Sequence, residues 1–188
     1  MVASLDAGYF DRLYAASADP WDFETSEYER DKYLATVEAL GERRFQNAFE
    51  IGCSIGVLTS LLAGRCERLL AVDVSEGALA RARLRCHEKS NVTFARMFVP
   101  REFPTGTFDL IVVSEVGYYW SPEDLRLSID KIAEASRGGT VELVHYLPKV
   151  RDYPLTGDEV HEAFLGDARF TVLRSERAEK YRLDVLAV

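Results

Sequence analysis

Long apolar runs are missing from this chain. None approaches the ~18 residues that a membrane-crossing helix needs, so no membrane partner is expected. A basic excess is missing as well: 23 Lys and Arg stand against 31 Asp and Glu, a net charge of −8. Such a balance disfavours nucleic acid and anionic lipid, and tolerates or weakly attracts a cationic substrate. Cysteine is scarce. Cys53, Cys66 and Cys86 show no metal-ligand spacing and leave one over if two were paired, so no metal and a reduced, cytoplasmic location are the simplest reading. The opening Met-Val-Ala-Ser-Leu-Asp has neither a basic region nor an apolar stretch, so no export signal is expected. Repeats and low-complexity segments are absent too. What remains, 188 residues with 47% apolar and 29% charged content, is one globular domain with enough chain for one good core.

The most informative stretch is Phe-Glu-Ile-Gly-Cys-Ser-Ile-Gly-Val-Leu-Thr at 49–59. An apolar strand ends at Glu50 and Ile51, a small-residue turn runs from Gly52 to Gly56, and a helix opens at Val57. Strand, glycine turn and helix N-terminus aim free backbone N–H groups at one point, which suits an anionic or strongly polar ligand. A side chain at Gly52 would keep that ligand from the backbone. The spacing is G-x-x-x-G and not the G-x-G-x-x-G of dinucleotide folds, which disfavours an NAD-dependent dehydrogenase. A second buried strand, Leu69–Ser75, passes through Asp73, 21 positions after Gly52. An acid at about that interval meets the ribose hydroxyl pair in nucleotide-binding α/β folds. Two acceptor oxygens match two neighbouring hydroxyl donors.

Around this pair the chain reads as alternating elements. A short helix carries Tyr9, Phe10, Leu13 and Tyr14, and Asp19-Pro20 breaks it. Trp21 and Phe23 follow, as a staple onto the core or a lid over a pocket. Thr25 or Ser26 caps a helix over 27–40, whose apolar side is expected at Tyr28, Leu34, Val37 and Leu40. Arg30 and Lys32 in its first turns run against the helix dipole, as solvated charges or as partners of a ligand carboxylate. Arg81, Arg83 and Arg85 on the helix after Ser75 read as solvated faces. Met97 and Phe98, past the third strand, can sandwich a purine or pack into the core. The apolar strand 107–113 runs into Ser114 and Glu115, polar groups at a strand carboxyl end and so candidate active-site groups. Of Tyr118, Tyr119 and Trp120, one or more is expected to be partly exposed. A fifth strand bears His145 and Tyr146, and 170–174 with 181–188 close the fold as an antiparallel pair. The result is α/β, a Rossmann-like three-layer sandwich with a seven-stranded, mostly parallel sheet and an antiparallel last strand. Residues 1–44 are expected to form a helical lid or cap on a core spanning 45–188.

E-x-G-C-x-x-G at 50–56, Leu-Ala-Val-Asp at 70–73 and F-D-L-I-V-V-S-E-V at 108–116 together resemble class I S-adenosylmethionine-dependent methyltransferases. Asp19-Pro20-Trp21, Tyr28 to Lys32, Gly52-Cys53 and Ser114 to Tyr119 narrow the resemblance to the nodulation protein S (NodS) N-methyltransferases. That resemblance implies S-adenosylmethionine as cofactor, S-adenosylhomocysteine as product, and the amine of the non-reducing glucosamine of a deacetylated chitooligosaccharide as acceptor. It also implies that Glu50, Gly52, Cys53 and Gly56 line the methionine and ribose end. Asp73 holds the ribose and Val74 touches the adenine, with Met97 and Phe98 across it. Ser114 lies beside the methionine part, while Trp21 and Lys32 close over the cofactor. Three departures bear on the acceptor: Arg96-Met97-Phe98 in place of an acid after the third strand, Gly117 in place of a bulky apolar residue, and His145-Tyr146. Methyl transfer needs a neutral amine held in line, so a base is sought. Glu115 is the first candidate and His145 the second, though a satisfied surface histidine is the plainer reading of His145. Tyr118 and Tyr119 offer flat faces and hydroxyls to a sugar. A monomer or weak homodimer is expected. The alternatives are methylation of another small amine or hydroxyl, or a non-catalytic nucleotide-binding module.

Overall fold

The computed structural model describes residues 2–188; Met1, the first residue of the expected lid segment, lies outside the described residues. The chain divides into two compact units, Asp6–Phe98 and Val99–Val188, the latter joined by the residues before Asp6.

The first unit opens with α1 (Ala7–Ala16), whose first turn is capped by the Asp6 carboxylate accepting from the Tyr9 N–H. Ser26 caps α2 (Glu27–Ala39) in the same way through the Glu29 N–H. Three parallel strands follow, β1 (Ala48–Ile51), β2 (Leu69–Asp73) and β3 (Val92–Arg96), in the order β3-β2-β1. Every residue of β1 is buried, as a parallel strand covered on both faces requires. The crossovers are α3 (Val57–Leu62) and α4 (Glu76–Arg85), so both helices begin at strand carboxyl ends.

α2 corrects one expectation. Its inward residues are Glu29, Lys32, Tyr33, Thr36 and Ala39, whereas Leu34 is 46% exposed. Lys32 is among the largest fully buried side chains and forms an ion pair with Glu29 at 2.9 Å. Its ammonium lies over the rings of Tyr28 and Tyr33, at 5.0 and 5.9 Å from the centroids. The buried charge is tolerable because its partner sits one turn away and the lysine stem is itself apolar. Hydrophobic periodicity cannot report an inward face built from a charge pair.

The second unit holds β4 (Leu110–Ser114), a 3₁₀ turn at Gly117–Tyr119, α5 (Pro122–Ala135) and β5 (Thr140–Tyr146), which runs parallel to β4. Ser121 caps α5 ahead of a proline at its first position. Thr156 and Glu159 make a reciprocal capping box at α6 (Gly157–Leu165). β6 (Thr171–Arg177) and β7 (Tyr181–Ala187) form the expected antiparallel hairpin, and the strand order is β4-β5-β7-β6. The fold class is therefore Rossmann-like α/β with seven strands, mostly parallel with antiparallel pairing at the end. Among the described residues no helix is long and apolar enough to cross a membrane. No group of three or more His, Cys, Asp or Glu that could hold a metal occurs among them.

Candidate functional site

In the first unit the carboxyl ends of β1 and β2 meet the turn 52–56. Gly52, Ser54 and Gly56 all have left-handed backbones, with φ of 79°, 51° and 80°. Gly56 has a second reason to lack a side chain, since a Cβ there would lie 3.0 Å from Cα and Cβ of Ala82 on α4. The Gly52 and Cys53 N–H groups both donate to the Val72 carbonyl at 2.9 Å, which fastens the turn to β2. Asp73 completes the arrangement. One carboxylate oxygen accepts from the Ser54 N–H and the other from the Ser75 N–H, each at 2.9 Å, with only 9% of the residue exposed. Burial raises the Asp73 pKa, and those N–H bonds oppose the rise by favouring the charged form. Glu50 is buried beneath the turn. Burial pushes its carboxyl up to about 7, with the Thr59 hydroxyl opposing and Asp73 adding to the shift. Burial likewise raises the Cys53 thiol, which is inert as a nucleophile there.

Other expected groups surround this turn. The Met97 N–H donates to the Asp73 carbonyl at 3.1 Å, which sets Met97 and Phe98, both half-buried, just beyond Asp73. The Val74 carbonyl accepts from Arg96 Nε at 2.8 Å. Trp21 stacks on Phe23 at 5.5 Å and meets Tyr14 edge-on at 5.8 Å; Phe23 continues the row to Tyr33. The sequence pattern did not single out Tyr14 or Ser54, yet the Tyr14 hydroxyl bonds the Ser54 hydroxyl at the middle of the turn. Burial and the neighbouring Asp73 raise the Tyr14 pKa, so the phenol stays protonated. Arg85 corrects another expectation. Instead of only facing solvent, it donates to the Ile55 carbonyl at 3.0 Å and pairs with Glu24, tying the segment that carries Trp21 to the glycine turn.

In the second unit Ser114 is buried at the end of β4, and Glu115 follows with φ of 56°. A non-glycine residue there is uncommon, and such strain concentrates at functional sites. Glu115 is held on three sides. Its N–H donates to the Val144 carbonyl at 2.8 Å, and its Oε2 accepts from the Tyr118 hydroxyl and from the Tyr146 N–H at 3.0 Å. The aromatic run departs from expectation: Tyr118, Tyr119 and Trp120 are all buried, at 5%, 8% and 4% exposure. The 3₁₀ turn explains this, because it sends successive side chains about a third of a turn apart and each finds its own neighbours. Tyr153, absent from the sequence reading, stacks on Tyr118 at 5.0 Å and meets Tyr119 edge-on at 4.7 Å. His145 is no surface histidine. It is fully buried, its Nε2 accepts from the Gly117 N–H at 3.1 Å, and its Nδ1 faces His161 Nε2 at 3.1 Å. Gly117 is explained by the same contact, since a Cβ would meet Val160 Cγ1 at 2.6 Å and His145 Nε2 at 2.9 Å.

Each unit thus gathers expected groups. Glu50, Gly52, Cys53, Gly56 and Asp73 converge in the first, with Trp21 linked to the same turn through Tyr14. Ser114, Glu115, Tyr118, Tyr119 and His145 cluster in the second.

Comparison with known proteins places this arrangement. Residues 10–139 match the family model for nodulation protein S (NodS). A nodulation protein S of Bradyrhizobium diazoefficiens is 39% identical over 102 residues, 54% of this chain and 49% of that protein. Another, from Sinorhizobium fredii, is 39% identical over 106 residues, 55% of this chain and 49% of its own length. The matched region therefore spans about half the length of these relatives. Among solved structures, the N-methyltransferase NodS from Bradyrhizobium japonicum WM9 in complex with S-adenosyl-L-homocysteine superposes with a TM-score of 0.83 at 25% identity, covering 96% of this chain and 97% of that one. On the extent of the family match, this chain belongs to the nodulation protein S family.

Proposed function

We propose that this chain is a cytoplasmic S-adenosylmethionine-dependent N-methyltransferase, a monomer or weak homodimer. Its acceptor is an amine, the glucosamine amine of a deacetylated chitooligosaccharide or of a related amino sugar. The observation that carries the reading is Asp73. It is a nearly buried carboxylate, oriented by two backbone N–H groups at the end of β2, beside a turn forced into left-handed geometry. The NodS structure from Bradyrhizobium japonicum WM9, an N-methyltransferase in complex with S-adenosyl-L-homocysteine, supports the choice of cofactor.

The residues present fit that cofactor. Glu50 Oε2 and Ser75 Oγ are buried and have no hydrogen-bond partner among the described residues. Such orphaned acceptors suit the ammonium and hydroxyl donors of an aminoacyl nucleoside. In this reading Gly52, Cys53 and Gly56 let the cofactor approach the backbone, Asp73 holds the ribose, and Val74, Met97 and Phe98 flank the adenine. Ser114 serves the methionine part. Trp21 closes over the cofactor, whereas Lys32, fully buried in its ion pair with Glu29, does not reach it. When bound, the cofactor supplies an electrophilic methyl group on a sulfonium.

The protein's task on the acceptor side is to bind the amine, strip its proton and hold the nitrogen in line. Glu115 binds the ammonium and takes the proton on a carboxylate oxygen, while Tyr118 O–H and the Tyr146 N–H keep that carboxylate oriented. His145 is not the base, because its Nε2 already accepts a backbone N–H and its ring is enclosed. Calorimetric titration tests the cofactor reading. S-adenosylhomocysteine binds and NAD does not; binding of neither overturns it.

A further inference from the structure

Behind the Glu115–Tyr119 segment runs a line of buried polar groups that the chemistry above leaves unused. His145 on β5, His161 on α6 and Asp184 on β7 each have no exposed surface. His145 Nδ1 and His161 Nε2 are 3.1 Å apart, and His161 Nδ1 lies 2.5 Å from Asp184 Oδ2. Arg182 Nε meets the same carboxylate at 2.9 Å, and another Arg182 nitrogen reaches Glu162 at 2.7 Å. Burial works against ionisation of Asp184, yet the His161 and Ser175 hydrogen bonds and the Arg182 charge hold it below the ordinary range.

The direction of the hydrogen bonds decides where the protons sit. A backbone N–H can only donate, so His145 Nε2, facing Gly117, is a bare acceptor. Its proton is therefore on Nδ1 and is given to His161 Nε2, which leaves the His161 proton on Nδ1, given to Asp184. Both rings are neutral and locked in one tautomer. If His161 carried a second proton, its Nε2–H would make His145 an acceptor at Nδ1 and a donor at Nε2. Two N–H groups would then face each other at Gly117.

We propose that His161 and Asp184 are positioning residues: by fixing the Nδ1–H tautomer of His145 they hold the Gly117 N–H, and through it the turn that places Glu115 and Tyr118. The proposal rests on the reading of Glu115 as the acceptor-binding carboxylate. The packing is built for it. Gly117 clears the space in front of His145 Nε2, and a Cβ at Gly157 would meet His145 Cβ at 3.1 Å. Tyr118, which bonds Glu115, also packs its ring edge-on to His145 at 5.4 Å, and Tyr146, the next residue along β5, donates its N–H to Glu115. Displacing one imidazole therefore disturbs two of the groups that orient the carboxylate.

The test uses the whole chain, whose three histidines make a ¹⁵N-correlated imidazole spectrum simple to assign. His145 and His161 should both carry their proton on Nδ1; a proton on His145 Nε2 overturns the proposal. Two variants then follow. His161→Gln keeps an acceptor oxygen near the Nε2 position, and His161→Leu removes it. In His161→Leu the Gly117 amide resonance should shift, and turnover of an amine acceptor should fall about tenfold or more, the size seen for groups that orient a functional residue. Affinity for S-adenosylhomocysteine should hold, and His161→Gln should restore both signals. Wild-type turnover in His161→Leu, or an equal loss of cofactor affinity, overturns the proposal. Should the wild-type chain methylate no acceptor, the functional reading fails, while the imidazole and Gly117 resonances still decide the tautomer claim.

Discussion

The two units place their carboxylates differently, one by backbone alone and the other by backbone and side chain together. In Asp6–Phe98, Asp73 is oriented by the backbone, through the N–H groups of Ser54 and Ser75, and the turn beside it is shaped by glycine and left-handed angles. In Val99–Val188, the Glu115 carboxylate takes one backbone donor, the Tyr146 N–H, and one side-chain donor, the Tyr118 hydroxyl, and the turn after it meets the buried side chains of His145, His161 and Asp184. A backbone cradle tolerates little beyond glycine at a few positions but is indifferent to distant residues. A side-chain network can be retuned by substitutions far along the chain. The proposed function assigns the cofactor to the first kind of site and the acceptor to the second.

If that division is right, substitutions in one unit should leave the other's ligand alone. The largest effect is expected for Glu115→Gln, which keeps the shape but removes the proposed base. Turnover should fall about 100-fold or more while calorimetry returns an unchanged affinity for S-adenosylhomocysteine. An equal loss of cofactor affinity would break the comparison. Asp73→Asn should do the reverse. Its amide nitrogen would face a backbone N–H that now donates to oxygen, and hydrogen bonds to a charged group are worth about 1.5–3 kcal/mol. Cofactor affinity should therefore weaken by about 10- to 100-fold, and unchanged affinity would remove Asp73 from the site.

A smaller, slower change is expected from Glu142, at the centre of β5. It is fully buried, and neither oxygen has a hydrogen-bond partner among the described residues. Burial raises its pKa well above the ordinary value, against the opposing charge of Arg174. The unfolded chain ionises this carboxyl first, so stability is full below the ordinary carboxylate range and is lost as pH rises toward the folded value. The slope is at most about 1.4 kcal/mol per pH unit for one proton. Glu142→Gln should flatten the fall in melting temperature between mildly acidic and alkaline buffer, and an unchanged profile would show that Glu142 is not the source.

How far the chain could be read in advance follows the same division. The 50–56 turn and Asp73 were legible because their chemistry lies in consecutive residues and one fixed interval. The parallel strands and the closing hairpin were legible from their apolar runs and alternation. Residues whose role depends on a distant partner were not. Lys32 turns inward because Glu29 and two tyrosines receive it, and Leu34 is displaced to the surface as a result. Arg85 leaves its solvated face because Glu24 and the Ile55 carbonyl sit opposite. His145 gave no sign of burial, since His161 and Asp184 come from a later helix and strand with no spacing to mark them. Three consecutive aromatics are all covered because a 3₁₀ turn forms there and their neighbours come from later in the chain, a geometry that no local spacing marks.

The central claim is that the chain moves a methyl group from S-adenosylmethionine to an amine. The direct measurement incubates the purified chain with that cofactor and, in parallel, deacetylated chitooligosaccharides, simple amino sugars and hydroxylated sugars without an amine, and weighs the products by mass spectrometry. The account predicts a gain of one methyl group on the amine-bearing sugars and none on the hydroxylated controls. Methylation of the hydroxylated controls alone would contradict it.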